Sequence, residues 1–160
     1  MLLRVFAGLA SQAGEIVRAG LCMNKKGIHI TQYDLERLKK LLHSIPGENH
    51  LKDVSVRELA DELARGIIVS PKEVPENVIT MNSRVLLRDV DSGEERTCWL
   101  VFPDKIDAVK NSVSILSPLG TAMIGYRVGD VFTWESPSGV KQMRVLDILY
   151  QPERVGNFSL

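Results

Sequence analysis

Between Ile28 and Ile45 the apolar positions fall at Leu35, Leu38, Leu42 and Ile45, three or four residues apart, with polar and charged residues in most of the gaps. That spacing places the leucines on one side of an α-helix. Thr31 precedes the run and Asp34 follows three residues later, the pattern of an N-cap with an acidic first turn, and Pro46-Gly47 ends the helix. A second stripe, Val56, Leu59 and Leu63, stops at Gly66. Ser55-Val56-Arg57-Glu58 matches a capping box there, with Val54 and Leu59 placed as a hydrophobic staple. These patterns predict helices of about thirteen and about eleven residues, joined by the polar loop from Gly47 to Asp53. Neither helix can bury its stripe alone, so residues 28–66 are expected to form a short antiparallel helical hairpin.

Past Gly66 the pattern shortens to that of strands. Ile67-Ile68-Val69, Arg84-Val85-Leu86-Leu87-Arg88 and the run from Arg96 to Phe102 read as strands, with a turn at Asp91-Ser92-Gly93 between the last two. Val113-Ser114-Ile115-Leu116, the run from Val131 to Glu135 and the run from Val140 to Tyr150 follow, the last pair separated by the turn Ser136-Pro137-Ser138-Gly139. An α+β fold follows, an antiparallel sheet over residues 67–160 wrapped around one short helix. Trp99, Phe102, Phe132 and Trp134 sit in alternating patterns and are expected in its core.

Charge and cysteine content narrow the function. Twenty basic residues balance twenty acidic ones, which speaks against a broad basic surface for gripping nucleic acid and favours specific protein contacts. Cys22 and Cys98 are far apart, and His29, His43 and His50 are scattered, so no metal-ligand spacing or disulfide framework is present and no cofactor is expected. A reducing cytoplasm is the expected compartment. No transmembrane run appears, and Gln12, Glu15 and Arg18 interrupt the apolar start before it reaches the length of a signal sequence. Residues 1–27 are therefore expected to be a weakly ordered extension, with Met23 the plainer start.

The densest local signal lies at Ser117-Pro118-Leu119-Gly120-Thr121-Ala122-Met123-Ile124-Gly125-Tyr126-Arg127-Val128-Gly129-Asp130. Pro118 fixes its own φ, Gly120 and Gly125 free the backbone, and Val128-Gly129-Asp130 turns the chain into the next strand. This stretch resembles the C-terminal domain of the bacterial Gre transcript-cleavage factors, which are transcription elongation factors. It also resembles their shorter relatives in the regulator of nucleoside diphosphate kinase family. Val78-Ile79-Thr80-Met81-Asn82-Ser83-Arg84-Val85, Asp91-Ser92-Gly93-Glu94 and Leu149-Tyr150-Gln151-Pro152-Glu153 extend the resemblance to the latter over nearly everything after Ile28.

The resemblance implies an FKBP-like C-terminal domain that docks on RNA polymerase at the rim of its secondary channel, with the hairpin pointing into the channel; an indirect contact with DNA in the elongation complex is left open. Docking is then expected through Ser117, Pro118, Leu119 and Gly120, because a Pro-Leu pair in a tight turn makes a rigid apolar knob. The competing expectation is that Leu119 and Ile124 plug the sheet. Gre factors carry an acidic pair at the hairpin tip that helps hold a Mg²⁺ ion for transcript cleavage, in an Asp-Leu-x-x-Asn-like sequence that this chain lacks. Its tip offers Glu48 and Asp53 among turn residues, a poor clamp for a hard octahedral cation. Helices of this length reach about 15 to 20 Å, much less than the Gre hairpin. The resulting expectation is a non-enzymatic regulator without metal or small-molecule substrate that competes with Gre factors and affects nucleoside diphosphate kinase indirectly. The alternatives are a Gre-like transcript cleavage factor using Glu48 and Asp53, and an FKBP-type prolyl isomerase with an aromatic-lined pocket.

Overall fold

The computed structural model describes residues 27–47 and 53–158. The chain enters through strand β1 (His29–Thr31) and passes directly into helix α1 (Gln32–Ser44), where the Thr31 hydroxyl accepts a hydrogen bond from the Asp34 backbone N–H at 3.2 Å. Leu35, Leu38 and Leu42 are buried as the spacing requires. Helix α2 (Val54–Ala64) starts one residue before the expected capping box. Its cap is Asp53, whose carboxylate oxygen Oδ1 accepts from the backbone N–H groups of Ser55 at 2.9 Å and Val56 at 3.4 Å. A carboxylate satisfies orphan N–H groups and also meets the positive end of the helix dipole, which gives Asp53 the advantage over a serine hydroxyl two positions on. Ser55 becomes a buried first-turn residue, and Val54, expected to staple against Leu59, is exposed.

After α2 the chain forms β2 (Ile67–Val69), which pairs in parallel with β1, His29 opposite Ile67 and Thr31 opposite Val69. The two strands thus bracket the helices. A five-stranded sheet follows, built from β3 (Arg84–Asp89), β4 (Glu95–Val101), β5 (Ser112–Ser114), β6 (Val131–Ser136) and β7 (Gly139–Tyr150), in the spatial order β5-β4-β3-β7-β6. Helix α3 (Pro118–Met123) lies between β5 and β6 in sequence. The fold is α+β, as expected, but its sheet is not wholly antiparallel. β5 pairs in parallel with β4, because residues 102–111 carry the chain back to its starting end before β5 begins. Two register shifts between β3 and β7 mark bulges that curl the sheet.

At the β3–β4 turn the Asp89 carboxylate accepts from the backbone N–H groups of Asp91 and Ser92, and Gly93 takes φ +73°. These bonds and that of Lys141 Nζ, 3.0 Å away, hold Asp89 below the usual carboxylate range.

The helices and the sheet share one hydrophobic core. Leu38 and Leu59 from α1 and α2, Val85 and Leu87 from β3, and Ile115 and Met123 around α3 are all fully buried in the same cluster. α2 packs directly on α3. Gly125, at φ +80°, lies so close to the N-terminal unit that a Cβ there would be 2.2 Å from the Ile28 side chain. The N-terminal unit is therefore joined to the sheet body through the segment that follows β5.

Candidate functional site

Every tight element of residues 117–130 has a local cause. Ser117 caps α3: its hydroxyl accepts from the Gly120 N–H at 3.1 Å and donates to the Ser114 carbonyl at 2.7 Å. Pro118 takes the first helical position, where its missing N–H costs nothing. Gly120 packs against β5 so closely that a Cβ would lie 2.0 Å from the Ser114 carbonyl oxygen. Thr121 is buried and donates its hydroxyl to the Ile115 carbonyl at 2.7 Å. Beyond the helix, Gly125 N–H bonds the Ile79 carbonyl, Ile79 N–H bonds Tyr126, and Val128 N–H bonds Asn77. The Asp130 carboxylate closes the last turn by accepting from the Arg127 N–H at 2.8 Å. The segment is thus fixed at both ends against neighbouring backbone.

Its expected knob is divided by the fold. Pro118 is exposed and Ser117 half-buried, whereas Leu119 is only 4% exposed and Gly120 is buried. Leu119 and Ile124 occupy the core, the competing expectation for both. What the segment brings to the surface is the Ser117-Pro118 edge, backed by the buried Leu119 and Gly120.

The hairpin-tip residues are not brought together within the described residues. Glu48 lies outside them. Asp53 is exposed, and one of its carboxylate oxygens is engaged in capping α2. Replacing that cap should be felt locally: Asp53→Ala is expected to cost about 1 kcal/mol of stability, read by chemical denaturation, while Asp53→Ser should cost less than half as much. Among the described residues no three His, Cys, Asp or Glu side chains lie together as metal ligands would. Burial pushes the Cys98 thiol up to about 11, so it is neither a thiolate nucleophile nor a ready metal ligand.

A groove of about 500 Å³ opens beside the two hairpin turns, lined by Asp89, Arg96, Trp134, Lys141 and Met143 among others. Trp134 is its one aromatic lining residue. Phe132 is buried in the core, Tyr126 stacks against it at 5.1 Å between ring centroids, and Trp99 pairs with Tyr150 at 5.4 Å. Among the described residues, the aromatic side chains from Trp99 to Tyr150 pair with one another or enter the core, and only Trp134 of them lines this groove.

Sequence patterns gave no sign of a buried polar junction between α1 and the C-terminal residues. Gln151 is fully buried and donates through Nε2 to the carbonyls of Pro75 at 2.9 Å and Val78 at 2.8 Å. Glu153 accepts from the Thr80 hydroxyl at 2.8 Å, and Asp34, expected as the acid of the first turn of α1, is buried beside it. Burial first, and then the Glu153 charge, push the Asp34 carboxyl up to about 6 against the lowering effects of Arg37 and Thr31. Burial also raises Glu153 above the usual carboxylate range.

The class of protein emerges from the division of the chain. Residues 26–69, which hold β1, α1, α2 and β2, match the family described as Rnk N-terminus. Residues 74–150, which hold the sheet and α3, match that described as transcription elongation factor, GreA/GreB, C-term. The chain thus joins a short helical N-terminal unit to an elongation-factor domain. Over 139 residues it is 40% identical to the regulator of nucleoside diphosphate kinase of Escherichia coli (strain K12), covering 86% of this chain and 100% of that protein. The chain belongs to the regulator of nucleoside diphosphate kinase family. It is 36% identical over 95 residues to transcription elongation factor GreA of Syntrophotalea carbinolica, covering 59% of this chain and 60% of that protein. A solved structure of a prokaryotic transcription elongation factor GreA/GreB from Nitrosomonas europaea is 37% identical and covers 77% of this chain and 98% of that one, with a TM-score of 0.65. These relatives carry the names of regulators and elongation factors, not of enzymes. No helix among the described residues is long and apolar enough to cross a membrane.

Proposed function

We propose that this protein is a transcription regulator that binds RNA polymerase near the rim of the secondary channel and competes there with Gre factors without stimulating transcript cleavage. Its effect on nucleoside diphosphate kinase is then indirect. The observation that carries the proposal is the fixed, exposed Ser117-Pro118 edge, held by Leu119 and Gly120 inside the elongation-factor domain. A surface already rigid in the free protein loses little conformational entropy on binding, so even a small apolar contact contributes to affinity.

The N-terminal unit supports occupancy over chemistry. Helices of 13 and 11 residues, read as a hairpin stub, span about 15 to 20 Å and have their apolar stripes committed to the common core. Asp53 is occupied in capping. The functional units are then residues 1–27 as an extension, nearly all of it outside the described residues, 28–66 as the stub, to which β2 is added by its pairing with β1, and the rest of 67–160 as the polymerase-docking body of FKBP-like form.

Two experiments test this. Pro118→Glu replaces the exposed apolar contact by a charge at a first-turn position that tolerates acids, so the variant should fold normally and bind polymerase at least about tenfold more weakly. Unchanged affinity would remove the Ser117-Pro118 edge from the interface. In stalled elongation complexes with Mg²⁺, the protein should release no 3′-terminal RNA fragments. Fragments that disappear with the Glu48→Ala/Asp53→Ala double variant would establish transcript cleavage instead.

A further inference from the structure

We propose that residues 151–158 form a proton-dependent latch that fastens the C-terminal end of the chain to the start of α1, closed most firmly when the buried Asp34, beside Glu153, is protonated. The latch has two anchors of different character. Gln151 is fully buried and tied to the carbonyls of Pro75 and Val78, an anchor indifferent to pH. Two residues on, Glu153 faces Asp34 across a cavity of about 30 Å³, which Thr31, Tyr33, Asn82 and Asn157 help to line. Asp34 is buried at its inner side, whereas Glu153 is half-buried, so Asp34 is the carboxylate that lacks hydration.

The charges around the pair decide the direction. Asp34 is faced by Glu153 from the C-terminal segment, by Arg37 one turn along α1, and by the Thr31 hydroxyl from β1. Arg37 also lies over the Phe102 ring, 4.0 Å from its centroid. Glu153 receives the Thr80 hydroxyl at 2.8 Å, and Thr80 is in turn within 3.1 Å of the Ser83 hydroxyl. The neighbouring Arg154 guanidinium donates to the Ile148 carbonyl at 3.1 Å. One guanidinium and one helix N-terminus face two acids, so a proton on Asp34 leaves a balanced junction, and its loss leaves an excess of negative charge centred on a carboxylate that is buried.

The sign follows from linkage. Asp34 has its carboxyl raised from 3.8 to about 6, so the closed state binds more protons than an open one between those values. Closure is therefore favoured at acid pH and weakens as pH rises through about 6. Opening would free residues 152–158 while Gln151 and β7 stay in place.

Backbone amide exchange of the full chain tests the latch at Val155, Gly156 and Asn157, whose N–H groups bond to Gln151, Glu153 and Pro152. After correction for intrinsic exchange, protection at these amides should be roughly tenfold or more higher near pH 5 than near pH 7.5. Amides of β3 should change by less than about threefold over the same interval. Asp34→Asn should raise protection near pH 7.5 and flatten its pH dependence, Glu153→Gln should do the same if Asp34→Asn fails to fold, and Glu76→Gln should leave the wild-type profile intact. Equal protection of the segment at both pH values, a pH dependence that survives both variants, or a change of the same size in β3 would overturn the latch.

Discussion

Leu119→Asp should abolish the folded state, or lower its stability by more than about 4 kcal/mol, because it places a charge where the native side chain is 4% exposed and has no basic partner among its core neighbours. Loss of polymerase binding by this variant would follow from unfolding and would say nothing about contact. The measurement is a denaturation curve alongside that of Pro118→Glu, one residue away on the exposed edge, whose midpoint should stay within about 0.5 kcal/mol of the native protein. A folded Leu119→Asp protein with native stability would mean that Leu119 is surface after all and that α3 sits differently on the sheet.

Among the described glycines, Gly120 should be the one where a substitution by alanine is most damaging. The new Cβ would lie 2.0 Å from the Ser114 carbonyl oxygen and 3.1 Å from the Ile115 Cα, so backbone must move, not the end of a flexible side chain. Displacing α3 from β5 disturbs the Ser117 cap and the Thr121 bond to Ile115 together. A loss of roughly 3 kcal/mol is expected in chemical denaturation. Gly125→Ala should be nearly as severe, since φ +80° is unfavourable for alanine and its Cβ would meet the Ile28 side chain at 2.2 Å. By contrast Gly93→Ala, at φ +73° but in open space, should cost only about 1 kcal/mol of backbone strain. A loss below about 1 kcal/mol for Gly120→Ala would show that α3 is free to move on β5, contrary to a rigid docking edge.

Much of this architecture was legible in the chain because local forces fix it. The helix stripes ending at Ile45 and Gly66 match helices of 13 and 11 residues, and the Asp91-Ser92-Gly93 and Ser136-Pro137-Ser138-Gly139 turns join the strands expected on either side. The misplaced cap of α2 is also local. Asp53 and Ser55 are both good caps, and pattern alone does not weigh a carboxylate against a hydroxyl two residues apart.

What escaped was non-local. Strands of three residues carry too little periodicity to reveal that Ile67–Val69 pairs in parallel with His29–Thr31, or that Ser112–Ser114 runs parallel to β4. Asp34 has the sequence position of a first-turn helix acid, and neither its burial nor the charge of Glu153 beside it, over a hundred residues later, can be read from that position. The segment from Ser117 to Asp130 was legible as a unit but not in its division into surface and core. Pro118 and Leu119 are both apolar neighbours, and the seating of α3 against β6, α2 and β5 decides which faces water.

The most direct test of the proposed regulation is competition on purified RNA polymerase between this protein and a Gre factor, read as displacement of a labelled Gre factor at micromolar concentrations. The account predicts mutual displacement, with the Pro118→Glu variant at least about tenfold less effective. Simultaneous binding of both proteins, or no binding of this one, would contradict it.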